Sequence, residues 1–325
     1  MKLGKRLLLL AGATGLAITL TNAAAQESWP ERPVKIISPY GAGGPNDISA
    51  RLLGERLSSR LGQTFVVENK TGAGTIVANN FVAKAAPDGY HVLYAAAPYS
   101  TLEALHGSLS YDPKKDLKAV AMVATVPLFL IVNADSPYKT VDDLIKHGKS
   151  NTDGLTVGSP GHGSLPHLAA ELLLIDAGTK GLVVHYKGDV AAYTDLVAGR
   201  IDATLTAITA ALPHIQAGKL RVLGVASETA SGIYPDARPL KDQGLSSVVA
   251  AGWYGFMVPS GTPPEIVQRL DDEVGLALND ASIKKRLLDL GMETRPGTSA
   301  QFAQFIQSEM DKWGGVIKHA NLKAQ

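Results

Sequence analysis

A chain of 325 residues, 45% hydrophobic with 33 glycines and 19% charged residues, is too long for one hydrophobic core and too apolar for disorder, so two α/β lobes are expected. Its 0 cysteines exclude disulfides, thiolate metal sites and a cysteine-linked lipid anchor. The 31 basic residues nearly balance the 30 acidic ones, and nothing in that balance points to nucleic acid.

Lys2, Lys5 and Arg6 precede an apolar run over 7–20, and Ala23-Ala24-Ala25 follows it. This reads as a signal peptide, 1–25, cut after Ala25. The run is shorter than the roughly 20 residues of a membrane span, and no later stretch is apolar enough for one. The expected product is soluble, exported to the periplasm and not lipid-anchored. Without the three leader charges it has 28 basic against 30 acidic residues, from the 31 and 30 of the whole chain.

Trp29-Pro30-Glu31-Arg32-Pro33 is an extended entry to a first strand over 34–38. A small-residue loop, Tyr40-Gly41-Ala42-Gly43-Gly44-Pro45-Asn46-Asp47, leads to a helix over 48–61. A strand over 64–69, a Gly72-Ala73-Gly74 turn and a helix over 75–85 follow. Pro87-Asp88-Gly89 then turns the chain into a strand over 90–96. This rhythm predicts a parallel sheet with helices on both faces.

The apolar run 128–132 is expected as a buried strand that opens a second set of such units. Helices are predicted over 165–176, 190–198 and 211–217, and strands over 155–158, 182–186, 201–206 and 220–226. A last apolar strand over 248–259 precedes helices over 265–278, 281–290 and 299–319, which have no new sheet to cover and are expected to return to the first lobe. The predicted organisation is therefore 26–126 with 251–325 as lobe 1 and 127–250 as lobe 2. Two apolar strands would cross between them as a hinge.

Two loops, at 40–47 and at Ser159-Pro160-Gly161-His162-Gly163-Ser164, each lie between a strand and a helix. Ligands of α/β sheets sit beyond the carboxyl ends of strands, and a helix start offers free N–H groups at the positive end of its dipole. One small anion could be gripped by both loops. The other reading is that these glycines only supply φ > 0. No Gly-x-x-x-x-Gly-Lys-Ser/Thr occurs, and Asn46 stands where Gly-x-Gly-x-x-Gly needs glycine, so nucleotide is disfavoured.

Asp47 reads as a helix cap, or as a partner for an amino group on the ligand. Tyr40 and Tyr99 are rim residues or stack on an elongated or aromatic ligand. Ser159, Ser164 and His162 are ligand contacts, with plain exposure the alternative for His162. They do not form a nucleophile elbow, because Val157 replaces its first glycine. His167 reads as a packing or capping residue. Thr204, Thr206 and Thr209 could present hydroxyls to the cleft from the second lobe. No spacing indicates a metal, and no cofactor is expected. Bulky residues at Gly43 or Gly163 are expected to block the ligand with little effect on folding, provided φ is negative there.

Several short stretches taken together resemble one family. They are Trp29-Pro30-Glu31-Arg32-Pro33, Pro39 to Gly44 with Asp47 and Ala50-Arg51, Gly72-Ala73-Gly74, Pro87-Asp88-Gly89-Tyr90, and Tyr111-Asp112-Pro113. Further along come Gly158-Ser159 with Gly161, Gly163-Ser164 and His167-Leu168, then Tyr186-Lys187-Gly188, Ala198-Gly199-Arg200-Ile201-Asp202, Ala217-Gly218-Lys219-Leu220-Arg221 and Gly261-Thr262-Pro263. They resemble the periplasmic solute-binding receptors of the tripartite tricarboxylate transporters, the Bug receptors. The resemblance implies a two-lobed, type II-like Venus flytrap that holds a small carboxylate between its glycine loops and is no enzyme. It implies a monomer that delivers to a membrane permease, or presents its ligand to a sensor kinase. The rival is an exported hydrolase using Ser159 and His162. Tyr40, often phenylalanine in the family, and Ala97-Pro98-Tyr99-Ser100, commonly asparagine-proline nearby, lie where a ligand's outer end would sit.

Overall fold

The computed structural model of the chain describes residues 29–324, so the signal-peptide reading of 1–25 lies outside the described residues. The first elements are β1 (Val34–Ser38), α1 (Pro45–Leu61), β2 (Phe65–Asn69), α2 (Ile76–Ala83), β3 (His91–Ala96), α3 (Leu102–His106) and β4 (Leu117–Asn133). Then come α4 (Val141–Ser150), β5 (Leu155–Ser159), α5 (Leu165–Ala177), β6 (Gly181–His185), α6 (Asp189–Val197), β7 (Ala203–Ala207), α7 (Leu212–Gln216) and β8 (Leu220–Val225). The chain ends with β9 (Ala251–Pro259), α8 (Pro264–Asn279), α9 (Ala281–Asp289), β10 (Glu293–Thr294) and α10 (Ser299–His319).

These strands form one curled, mixed sheet in the order β2-β1-β3-β9-β4-β7-β5-β6, with β8 and β10 also paired to β4. β1 runs parallel to β2 and β3, and β5 runs parallel to β6 and β7. Each parallel set is built from strand-loop-helix units; the edge strand β6 leaves Leu182 exposed, whereas the inner strands are buried on both faces. Val34, Ile36 and Ile37 of β1 are each 0% exposed, for example. The architecture is the two-lobed α/β arrangement expected, with antiparallel strands at its centre where β9 and β4 run against their neighbours.

The centre differs from the sequence expectation in one respect. β4 is a single strand of 17 residues, not a short one over 128–132. Its first part pairs with β9 from Leu117 to Pro127, and its second part pairs with β7 and β8 from Leu128 to Asn133. An alanine-rich stretch ending in Pro127 carries a weak strand signal, since proline cannot donate to a ladder. It is accommodated at the crossover, where Leu128 N–H bonds the Ala250 carbonyl at 3.2 Å and Ala250 N–H bonds that of Ala226 at 2.9 Å. One strand thus belongs to both halves of the sheet.

The last helix also departs from expectation. Phe302 and Ile306 of α10 sit in the core formed with Ile37, Leu93 and Trp253, whereas Trp313, Val316 and Ile317 sit in the core of Leu130, Leu168 and Leu205. Residues 299–319 therefore bridge the halves rather than returning wholly to the first. The apolar spacing of α10 is continuous, so its sequence carries no sign of which core each turn enters. Ser231 Oγ and Gly232 N–H, both from the second half, bond Glu293 Oε1 of β10 at 2.7 Å.

Candidate functional site

A cavity of about 590 Å³ opens between the halves at the carboxyl ends of the strands. The first half contributes Tyr40 and Gly41, the loop from Thr71 to Thr75, and Leu102, Leu105 and His106 of α3. The second half contributes His162, Gly163 and Ser164, and Ala324 reaches the rim near the chain end. Among the described residues, no lysine or arginine lines it. Any anion held here meets main chain, hydroxyls and imidazoles.

The first loop is braced from below. Ser38 Oγ bonds the Tyr40 carbonyl at 3.3 Å and Asn46 Oδ1 at 2.7 Å, while Asn46 itself is buried. Gly43, at φ +85°, donates its N–H to Asp47 Oδ2 at 3.0 Å. Asp47 also accepts from Arg51 Nη2 at 2.9 Å and from Asn69 Nδ2 at 2.8 Å. The N-cap is Gly44, so Asp47 stands in the first turn and reaches back to the loop. This corrects its reading as the cap: its carboxylate is already engaged by three donors.

The Arg51 hydrogen bonds, followed by those from Gly43 and Asn69, outweigh burial and hold the Asp47 carboxyl at about 2. An unfolded aspartate titrates near ~3.9, so the ionised form favours the folded state; that contribution is complete above about pH 5 and is lost as pH falls through about 2. Asp47 is buried but Arg51 is half exposed, which limits it to roughly 1–2 kcal/mol. Urea unfolding of the protein and of Asp47→Asn at pH 5 and pH 2 should show a gap that narrows in acid. A constant gap would contradict it.

The second loop is braced in a related way. Ser159 is fully buried, and its Oγ donates to the Gly161 carbonyl at 3.1 Å while accepting from Gly161 N–H at 3.3 Å. Ser164 is the N-cap of α5; its Oγ donates to the Gly161 carbonyl at 2.7 Å and accepts from His167 N–H at 3.3 Å. Gly163, at φ +70°, donates its N–H to His167 Nδ1 at 2.9 Å. Thus two glycine N–H groups expected to serve a ligand are already bonded. Those of Gly41, Ala42 and His162 carry no such bond among the described residues.

Of the residues singled out from sequence, Tyr40, Gly41, His162, Gly163 and Ser164 meet at the cavity. Ala42, Gly43 and Gly44 lie in the same loop without lining it. Tyr40 as a whole is 37% exposed, yet desolvation of its phenol by the surrounding protein, with the Tyr254 phenol adding, raises its pKa. Tyr99 is 1% exposed, its hydroxyl donates to the Pro113 carbonyl, and its ring packs against Trp253 and Tyr111, so it does not face a ligand. Thr206 is buried with Oγ1 donating to Asp189 Oδ1 at 2.6 Å, and exposed Thr209 lies against Gly291. Ser159 has no bond to His162; its hydroxyl is consumed by the loop, and no nucleophile-base pair forms.

The loop from Thr71 to Thr75 was missed as a wall of the site. Gly72, Ala73, Gly74 and Thr75 take φ +134°, +45°, +60° and +92° in succession, a run of positive φ that is costly for residues with a Cβ and worst for a β-branched one. Such strain gathers where a loop is held for a purpose. The signal available in the sequence was Gly72-Ala73-Gly74 standing between a strand and a helix, as the other two loops do. Leu102, Leu105 and His106 were also missed, because a five-residue helix has no readable period.

The description "Tripartite tricarboxylate transporter family receptor" matches residues 49–322 of the chain. BugT of Bordetella pertussis is 32% identical over 319 residues, 97% of this chain and 98% of its own. Two solved structures share the fold. An R. palustris protein with adipate has a TM-score of 0.73 at 31% identity, covering 91% of this chain and 99% of that one. MatC from Rhodopseudomonas palustris with bound malate has a TM-score of 0.69 at 31% identity, covering 89% and 100%.

Proposed function

Because this chain belongs to the receptor family of the tripartite tricarboxylate transporters, which are periplasmic solute-binding proteins and not enzymes, we propose that it captures a small carboxylate in the cavity between its halves and delivers it to the transporter's membrane permease. The observation that carries this reading is the cavity wall itself: loops at helix starts from both halves, with unbonded main-chain N–H groups and, among the described residues, no lysine or arginine. Amide dipoles, the Ser164 hydroxyl and ordered water suit a carboxylate. They give a nucleotide no countercharge.

In this reading Tyr40, Gly41, His162, Gly163 and Ser164 form the grip, and Leu102, Leu105 and Pro98 offer an apolar wall to the ligand's body. That wall favours an extended dicarboxylate or an aromatic acid, in keeping with adipate in the R. palustris neighbour. The crossings at Leu128 and Ala250 serve as the hinge on which lobes 29–126 with 251–298 and 127–250 close, with α10 joining them. Export requires the leader over 1–25. Among the described residues no helix is long and apolar enough to cross a membrane.

The test is one melting series of the purified protein with adipate, terephthalate, citrate, malate and aspartate beside their amides or esters. A ligand at about 100 times its dissociation constant adds about 2.7 kcal/mol to stability, a readable shift. Stabilisation that survives masking of every carboxylate would refute the carboxylate reading.

A further inference from the structure

The two cleft loops share one plan. In each, a strand-end serine, Ser38 or Ser159, bonds the carbonyl two residues on, at 3.3 Å or 3.1 Å. In each, a glycine at positive φ donates its N–H to a side chain four residues later, in the first turn of the next helix. That side chain pairs in turn four residues further on: Asp47 with Arg51 at 2.9 Å, and His167 with Glu171 at 3.5 Å. The difference lies in the acceptor. One loop hangs on a carboxylate and the other on an imidazole.

The Gly163 N–H is a fixed donor, so His167 Nδ1 must present a lone pair and the ring proton must sit on Nε2, toward Glu171. A second proton on Nδ1 would set N–H against N–H. His167 is 2% exposed, so the protonated ring could not be solvated without moving the loop. We infer that His167 is the positioning residue of the second cleft loop, and that its protonation releases Gly163, so that this side of the cleft is organised only while the imidazole is neutral. The inference concerns the loop and holds whatever ligand binds.

The groups facing His167 are His162 from the loop, His185 from β6 and Glu171 from α5, with ring centroids 5.0 Å and 4.3 Å away for the two histidines. Desolvation, followed by the neighbouring His167 and His162, lowers the His185 pKa. Among the described residues this cluster does not converge as a metal site. The first loop is a built-in control, because the Asp47 carboxyl, held at about 2, remains an acceptor throughout the range in which imidazoles titrate.

The experiment follows the Gly163 and Gly43 amide protons of the purified protein by NMR and hydrogen exchange, corrected for intrinsic pH dependence, from about pH 8 to about pH 5. Gly163 should lose protection about tenfold, in step with the His167 ring signals, while Gly43 stays constant. His167→Asn places a non-titrating oxygen where Nδ1 lies and should keep Gly163 protected at both ends of the range. His167→Leu should leave it unprotected at both. Gly163 protection that ignores pH in the unmodified protein, or an asparagine variant that behaves like the leucine one, would overturn the inference.

Discussion

Trp313→Ala is expected to lower the unfolding free energy by about 3–5 kcal/mol, the range for emptying a large aromatic site in a core that closes only in part. Trp313 is 1% exposed and packs in the second half's core, and its Nε1–H donates to Glu309 Oε2 at 2.8 Å. Glu309 is 5% exposed and would keep only Lys312, whose ammonium also bonds the Val249 carbonyl at 2.9 Å. The loss therefore combines a cavity with a poorly paired buried carboxylate. Since Phe302 and Ile306 anchor the same helix in the first half, the variant should also free that helix's last turns, seen as faster amide exchange after Glu309. A urea-derived loss below about 1 kcal/mol would mean that these turns are not docked in the second core.

Gly163→Val should cost ligand binding at least about 100-fold, since a branched side chain at the cavity wall displaces the carboxylate from its charge-assisted hydrogen bonds. The sequence-based expectation was that folding would be spared if φ were negative. The observed φ of +70° removes that condition, as does +85° at Gly43, and valine there adds roughly 1–2 kcal/mol of backbone strain. Space is not the obstacle: a Cβ at Gly163 would meet only Leu105 Cδ1, at 3.7 Å. Gly163→Asn separates the two effects, because asparagine tolerates the left-handed conformation while still filling the wall. Calorimetry that finds both variants binding adipate or another identified acid as tightly as the unmodified protein would dismiss this loop as part of the grip.

What the sequence determined by itself is what local chemistry writes. Apolar periodicity and turn residues placed the strand-loop-helix units, and α10 occupies the 299–319 predicted for it, behind a Thr298 cap that accepts from Gln301 N–H. The ordered short motifs identified the family, and the two glycine loops fell beyond the strand ends, where the cavity opens. Only the tertiary structure decided which side chains and amides those loops leave for a ligand. Asp47 is taken by Asn69, 22 residues away; Tyr99 is turned inward by Pro113 and Trp253; and His167 is committed to Gly163. The passage of β4 through Pro127 and the two cores shared by α10 were hidden because each is fixed by partners distant in the chain, whose packing overrides what the residue types prefer locally. The left-handed backbone of Ala73 and Thr75 was hidden because their residue types disfavour it.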